Sequence, residues 1–330
     1  AEETERGSRK IFSFLQRGDA YTQKRPLSVA FLYEKSKEES SWSYAHELGR
    51  LALESEFEGA VKTMAFDDCG DEQKISDAID QAMEAGCQMV FTTSLAMMPI
   101  TQRAAIFYPE VRFLNCSVNL VSSEVMTYYT RSYDAKFIMG ALAAMTSDNH
   151  KIGYRANFPI FGAVADINAF AIGAAMVDPR VKIYLDWSGS RNSSWEELLE
   201  REDIRVISGL EMIRPRQASR EYGLYCRDEN GMVHNLCAPL NNWGKFYERL
   251  LRPIVRGTAS LKDRQENRSL NFYWGMATGA VELILSKHIP FYSRKTAERL
   301  VDAIMSGYIN PFDGEIHSQE GMIKGPKAPR

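Results

Sequence analysis

The chain has 330 residues, 45% of them hydrophobic and 25% charged, with a formal net charge of -3. That length exceeds the usual single domain and predicts two lobes, and the composition excludes wholesale disorder. The near balance of charge gives no basic field for nucleic acid or an anionic membrane surface, which leaves a small molecule as the expected partner.

Residues 1–25 are dense in charge and read as a lead-in, with a brief amphipathic turn at Ile11, Phe12, Phe14 and Leu15. The opening AEETERGSRKIF has neither an initiator methionine nor the apolar core of a secretory signal, so it reads as a processed chain or a piece of a longer one. From Pro26 the pattern is regular: apolar LSVAFLY, a helix from about Ser41 to Phe57, apolar VKTMAF, a helix through DEQKISDAIDQAMEAG, then CQMVFTT. In the second helix Ile75, Ala78, Ile79, Ala82 and Met83 fall on one stripe, and Gly86 sits at the expected C-terminal cap. A helix through ITQRAAIFYP and the strand VRFLN extend this βαβ alternation, which predicts a parallel sheet covered on both faces. VNLVSSEVMTYYT reads as a linker, followed by a helix through AKFIMGALAAMTS. A second alternating series then runs KIGYRA, the helix ADINAFAIGAAMVDP, VKIYLDW, the helix SSWEELLERE, IRVISG, a helix near RPRQASREYG, and LYCRD. The remainder holds a helix from Asn242 to about Arg256, apolar NFYWG, and a helix through SRKTAERLVDAIMSG. No apolar stretch reaches the roughly 20 residues of a membrane span.

Chemical motifs are thin. Cys69, Cys87, Cys116, Cys226 and Cys237 form no CxxC pair and read as buried, reduced thiols. His46, His150, His234, His288 and His317 are scattered without triad or metal-ligand spacing, and no GxGxxG, Walker, HExxH or GxSxG sequence is present. No metal and no cofactor are implied.

In an open parallel sheet a ligand collects at the carboxyl ends of the strands, where helix N-termini offer free N–H groups. Here those ends carry hydroxyls, amides and aromatics: Tyr33 to Trp42, Thr92 to Ser94 and Asn115 to Ser117 in the first lobe; Ala156 to Phe161, Trp187 to Ser190, Gly209 to Met212, and Arg227 with Asp228 in the second. Such a set suits recognition of a flat ring and a sugar better than catalysis. Trp42 is either a stacking face or a hydrophobic staple for the helix it opens. Ser41 and Ser43 are hydrogen-bonding groups or helix caps. Thr92, Thr93 and Ser94 fit a turn as well as a ligand, and Asp228 in YCRDENG fits a turn equally.

The runs YYTRSYDAKFIMGALAAM, KIGYRANFPIFGAVADINAFAIGAAMVDPRVKIYLDWSGS, NFYWGMATGAVELI and DAIMSGYINPFDGEI resemble the basic membrane protein family, whose best understood members are nucleoside receptor lipoproteins feeding ABC importers. The likeness covers about residues 26–317 in order. It implies an α/β, type I periplasmic binding protein fold: two Rossmann-like lobes with parallel sheets, a hinge, and a nucleoside-like, purine ligand clamped by the lobes for a possible ABC permease. It divides the chain into the lead-in, an N-terminal lobe of 26–118 with about 242–275, a C-terminal lobe of 119–241 with about 276–317, and a tail of 318–330. By the same resemblance Trp42 stacks on the base and Trp42-Ser43 replaces a family Phe-Asn pair after the acidic position Glu34. Ser41, Thr93, Ser94, Asn115 and Ser117 line the first lobe's share, and Asn115, Cys116 or Ser117 stands where the family has a carboxylate. Asp228 holds sugar hydroxyls, Trp243 fills a later lysine or tryptophan position, Gly209 lies at a strand end, and Phe158 or Phe161 supplies a second aromatic. The family also implies an extracytoplasmic site of action and a lipid tether that this sequence does not contain. A ligand-sensing, cytoplasmic domain of a longer signalling or transcription protein and a nucleoside-processing enzyme are the alternatives.

Overall fold

The computed structural model describes residues 19–118, 122, 124–157, 161–189, 194–211, 220–259, 261, 271–318 and 321–324. Among these the chain forms two compact units. The first holds the residues up to Tyr129 and again Asn242 to Tyr273; the second starts at Thr130 and resumes at Trp274. The amphipathic turn expected at Ile11 to Leu15 and most of the helix expected near RPRQASREYG lie outside the described residues.

In the first unit β1 (Leu27–Leu32), α1 (Ser41–Glu56), β2 (Val61–Phe66), α2 (Glu72–Glu84), β3 (Met89–Thr92), α3 (Met98–Phe107), β4 (Arg112–Cys116) and β5 (Val125–Thr130) alternate as the apolar periods dictate. β1 pairs in parallel with β2 and β3, β3 with β4, and β4 with β5. The helices start and stop on local chemistry. Ser40 caps α1, its Oγ accepting from Ser43 N at 3.3 Å. Asp71 caps α2 by accepting from Lys74 N at 2.9 Å. Gly86, at φ +76°, lets Cys87 N donate back to Ala82 O at 2.9 Å, closing α2 with a left-handed turn. β5 lies in the segment read as a linker. Its run VMTYYT is hydroxyl- and aromatic-rich rather than aliphatic, and it is buried almost throughout.

The second unit contains α4 (Tyr133–Thr146), β6 (Lys151–Ala156), α5 (Phe161–Val177), β7 (Lys182–Trp187), α6 (Trp195–Glu202), β8 (Val206–Ser208), β9 (Leu224–Arg227) and β10 (Val233–Asn241). β6 pairs in parallel with β7 and β8, but β9 runs antiparallel to β8, and β10 antiparallel to β9. The chain then returns to the first unit through α7 (Trp243–Val255) and β11 (Asn271–Trp274), which completes a sheet of order β11-β5-β4-β3-β1-β2. β12 (Val281–Leu285) gives the second sheet the order β12-β10-β9-β8-β6-β7; α8 (Phe291–Met305) and a hairpin of β13 (Ile316–Ser318) and β14 (Gly321–Lys324) follow.

Each unit has its own core. In the second, α4 and α5 cross at Gly140 and Gly173: a Cβ on either would collide with the other helix, at Phe170 O and Phe137 O respectively. In the first, α1 and α7 meet where a Cβ on Gly49 would stand 2.6 Å from Trp243 Cβ, and one on Gly244 2.9 Å from Ala52 Cβ. No described helix is long and apolar enough to cross a membrane.

Candidate functional site

α1 is fixed to the first sheet by a polar brace. Tyr33 Oη donates to Glu47 Oε2 at 2.8 Å, and Arg50 grips both oxygens of Glu47 at 2.7 Å. The Arg50 guanidinium holds the Glu47 carboxyl below the usual range, against the opposing effect of burial. Burial and the Glu47 charge push the Tyr33 phenol up. The brace sets the N-terminus of α1 over the carboxyl ends of β1 and β3.

Trp42, the second residue of α1, is half-buried there, and its Nε1 donates to Thr93 O at 2.7 Å. Its indole lies nearly parallel to Tyr129, 27° off with centroids 6.1 Å apart. It meets His46 edge-on at 4.8 Å and Trp243 edge-on at 5.7 Å. The Trp42 ring is therefore oriented by a hydrogen bond at one edge and by aromatic neighbours around it.

The polar groups divide into those already engaged and those still open. The Thr93 hydroxyl donates to Leu32 O at 2.8 Å, so it is spent inside the sheet, and Ser94 Oγ accepts from Ala96 N at 3.2 Å as the cap of a short 3-10 turn. Thr92 Oγ1 stands 2.9 Å from Thr101 Oγ1. Asn115 Nδ2 donates to Thr92 Oγ1 and to Ser94 O, both at 2.8 Å. Asn115 Oδ1 and Ser117 Oγ are buried with no partner among the described residues. Ser43 is buried and gives its N–H to the cap; Ser41 and Glu34 are half-buried.

Two expected site residues, Asp228 and Trp243, are placed differently from the sequence reading. Asp228 sits after β9, and because β9 opposes β8 its end lies level with the start of that strand: Cys226 is opposite Val206 and Arg227 N donates to Arg205 O. It closes the β9–β10 turn, accepting from Asn230 N and Met232 N at 2.9 Å each and pairing with His234 at 3.2 Å. The turn composition of DENG was readable; the reversal of the strand was not. Trp243 is 1% exposed, a buried wedge in the α1–α7 contact rather than an open face. Gly209 follows β8 and is buried, its N–H bonded to Gly223 O at 2.8 Å, and a Cβ there would stand 2.9 Å from Tyr225 Cε1, which accounts for the glycine by packing. Phe158 lies outside the described residues, and of Phe161 only its backbone place at the start of α5 is described.

Two groups escaped the sequence reading. His46 is fully buried, stacked on Trp243 at 4.2 Å, with Nδ1 2.5 Å from Tyr247 Oη. Burial pulls its imidazole down to about 3, so it is neutral. Its position four residues after Trp42 puts both on one helix face, which is the signal that would have found it. In the second unit Lys136 lies buried on α4, 5.0 Å over the Tyr154 ring and paired with Glu211. Asp166 on α5 accepts from Ser132 Oγ at 2.9 Å, and burial pushes its carboxyl up to about 6 against the pull of Lys136. A charge inside each of two apolar helices is the sequence sign of this cluster. All five cysteines are free, and no described group of His, Cys, Asp and Glu could hold a metal ion.

The profile of the Bmp family, described as "ABC transporter substrate-binding protein PnrA-like", matches residues 27–197. The chain is similar to a purine-binding protein of Brucella abortus (strain 2308), 25% identical over 324 residues that cover 94% of this chain and 90% of that one. It is also similar to a protein of Haloferax volcanii provisionally named an ABC transporter glucose-binding protein, 24% identical over 284 residues, 79% of this chain and 68% of that one. Among solved structures, an ABC transporter system solute-binding protein from Conexibacter woesei DSM 14684 shares the fold at a TM-score of 0.62 and 13% identity, covering 86% of this chain and 98% of that one. The architecture is the type I periplasmic binding protein fold. The chain belongs to the PnrA-like substrate-binding proteins of ABC transporters, the Bmp family, whose members bind small-molecule solutes for a permease and are not enzymes.

Proposed function

We propose that this protein captures a nucleoside-like solute with a purine base and delivers it to an ABC importer, acting outside the cytoplasmic membrane. The observation that carries the reading is Trp42: a half-buried indole at the strand ends, held at Nε1 by Thr93 O, while at the end of β4 the buried Asn115 Oδ1 and, one residue past the strand, Ser117 Oγ have no partner among the described residues. The base stacks on Trp42. A base held on both faces needs about 7 Å between rings, two contacts of roughly 3.5 Å, so Tyr129, whose ring centroid is now 6.1 Å from that of Trp42, moves by at least about 1 Å to admit it. The open hydroxyl and amide oxygen take the hydrogen bonds of the base edge or sugar. The purine-binding name of the Brucella relative supports this assignment. A lipid tether at the membrane belongs to the same proposal.

Calorimetric titration with inosine, adenosine, guanosine and glucose tests it. Saturable binding of at least one purine nucleoside with no heat from glucose is the expected result. Binding of glucose alone would replace the nucleoside with a hexose, the ligand in the provisional name of the Haloferax relative. For the tether, labelling cells that express the full gene with a radioactive fatty acid is expected to mark this protein.

A further inference from the structure

The second unit buries a lysine near the carboxyl end of its sheet. Lys136, close to the start of α4, is 3% exposed, and its ammonium lies 5.0 Å over the ring of Tyr154, two residues before the end of β6. A buried ammonium is costly unless a carboxylate answers it. That carboxylate is Glu211, three residues past the end of β8, which turns its buried Oε1 onto Lys136. The Glu211 side chain is still 24% exposed, and Oε2 is neither enclosed nor paired with a described residue. Lys136 thus anchors one edge of the carboxylate and leaves the other facing outward.

Other acids near this end of the sheet are already engaged. β10 opposes β9 and β9 opposes β8, so β10 runs with β6, β7 and β8. The connections leaving these four strands at their carboxyl ends are residues 157–160, 188–194, 209–223 and 241–242, and Glu211 and Glu221 are the only acids in them. Glu221 accepts from Arg227 at 2.9 Å. Asp186 on β7 pairs with Arg155 at 3.5 Å, and Asp166 on α5 accepts from Ser132 Oγ at 2.9 Å. Asp228 lies at the opposite end of the sheet, level with the start of β8. An open carboxylate edge where α/β sheets gather their ligands is therefore found at Glu211. A carboxylate only accepts, so its ligand must present donors. Because Lys136 offsets its charge, the pair as a unit favours neither a cation nor an anion, and neutral hydroxyls are the donors that fit.

We infer that Glu211 accepts from the ribose hydroxyls of the nucleoside, and that Lys136 is the positioning residue that holds the carboxylate for them. The inference rests on the nucleoside reading above and deepens it, giving to Glu211 the sugar contact that the sequence reading gave to Asp228. A vicinal diol is the match for a carboxylate edge, since its two O–H groups can both donate to it.

The test is calorimetric titration with inosine and adenosine, each beside its 2′,3′-dideoxy form. The wild-type chain is expected to bind the nucleoside at least about tenfold more tightly than the dideoxy form, the scale of a hydrogen bond to a charged group. The double variant Lys136→Met with Glu211→Leu keeps the volume and leaves no charge buried alone. It is expected to bind the two forms equally, with the affinity of the dideoxy form within about twofold of wild type. Lys136→Met alone leaves the carboxylate unanchored and is expected to shrink the preference several-fold. If the variants fail to fold, the Glu211 amide resonance of the 15N-labelled wild type decides, since its position is expected to differ between saturation with the nucleoside and with the dideoxy form. Equal wild-type affinity for the two forms, a preference that survives in the folded double variant, or an identical Glu211 resonance each overturns the assignment of Glu211 while leaving a nucleoside receptor. Binding of no nucleoside at all overturns both readings.

Discussion

At the scale of single residues, the site is a matter of which polar atoms are already committed. Trp42 is both anchored and half-buried, so its two roles can be separated by substitution. Trp42→Ala removes the stacking face and is expected to weaken nucleoside binding by about tenfold or more, since aromatic stacking adds roughly 0.5–1.5 kcal/mol to the contact area lost. Trp42→Phe keeps a face but frees Thr93 O, and calorimetry is expected to show a smaller loss. Asp228, by contrast, closes a hairpin. Asp228→Ala is expected to lower the unfolding midpoint slightly and leave ligand affinity as it is. The sequence made Trp42 conspicuous because a tryptophan at a strand-to-helix junction is unusual in itself. It hid His46, because a lone histidine announces its environment only once its neighbours from β5 and α7 are in place. Asn115 and Ser117 were legible as strand-end residues, but which of their atoms remain open depends on the partners of Thr92 and Ser94.

Among elements, the βαβ alternation of the first unit was readable from period alone, since α2 shows one buried stripe and closes on a left-handed glycine. Strand direction was not. An apolar run such as LYCR is the same text whether it runs up or down a sheet, and only the pairing of β9 with β8 shows the reversal that moves Asp228. β5 was lost for another reason, as hydroxyls and tyrosines conceal a buried strand from an aliphatic count. Close helix contacts are equally hidden until the crossing is seen. Gly140→Ala and Gly173→Ala each force α4 and α5 apart against a backbone carbonyl. Each is expected to cost at least about 2 kcal/mol, toward the upper part of the range for overpacked cores, as a lower urea midpoint.

At the scale of the whole molecule, the two units respond to acid in opposite directions. His46 titrates at about 3 in the folded first unit against an ordinary 6.5, so between those values the unfolded chain binds the extra proton and stability falls as pH falls, by up to about 5 kcal/mol. Asp166 titrates at about 6 in the folded second unit against an ordinary 3.8. There the folded form holds the extra proton, and stability rises as pH falls through that window, by up to about 3 kcal/mol. Hydrogen exchange resolved by peptide is therefore expected to show the first unit loosening relative to the second between pH 6 and pH 4. His46→Phe is expected to flatten the first response and Asp166→Asn the second; parallel loosening of both units in the wild type would contradict the assignment.

The enclosure of the native thiols has a use in the laboratory. Four of the five cysteines are buried, and burial raises the pKa of all five, to about 11 at Cys87 and about 12 at Cys69, so little thiolate is available to a maleimide at neutral pH. A cysteine introduced by Tyr292→Cys on α8, where the tyrosine is 83% exposed, would take up a dye selectively without any of the five being replaced first.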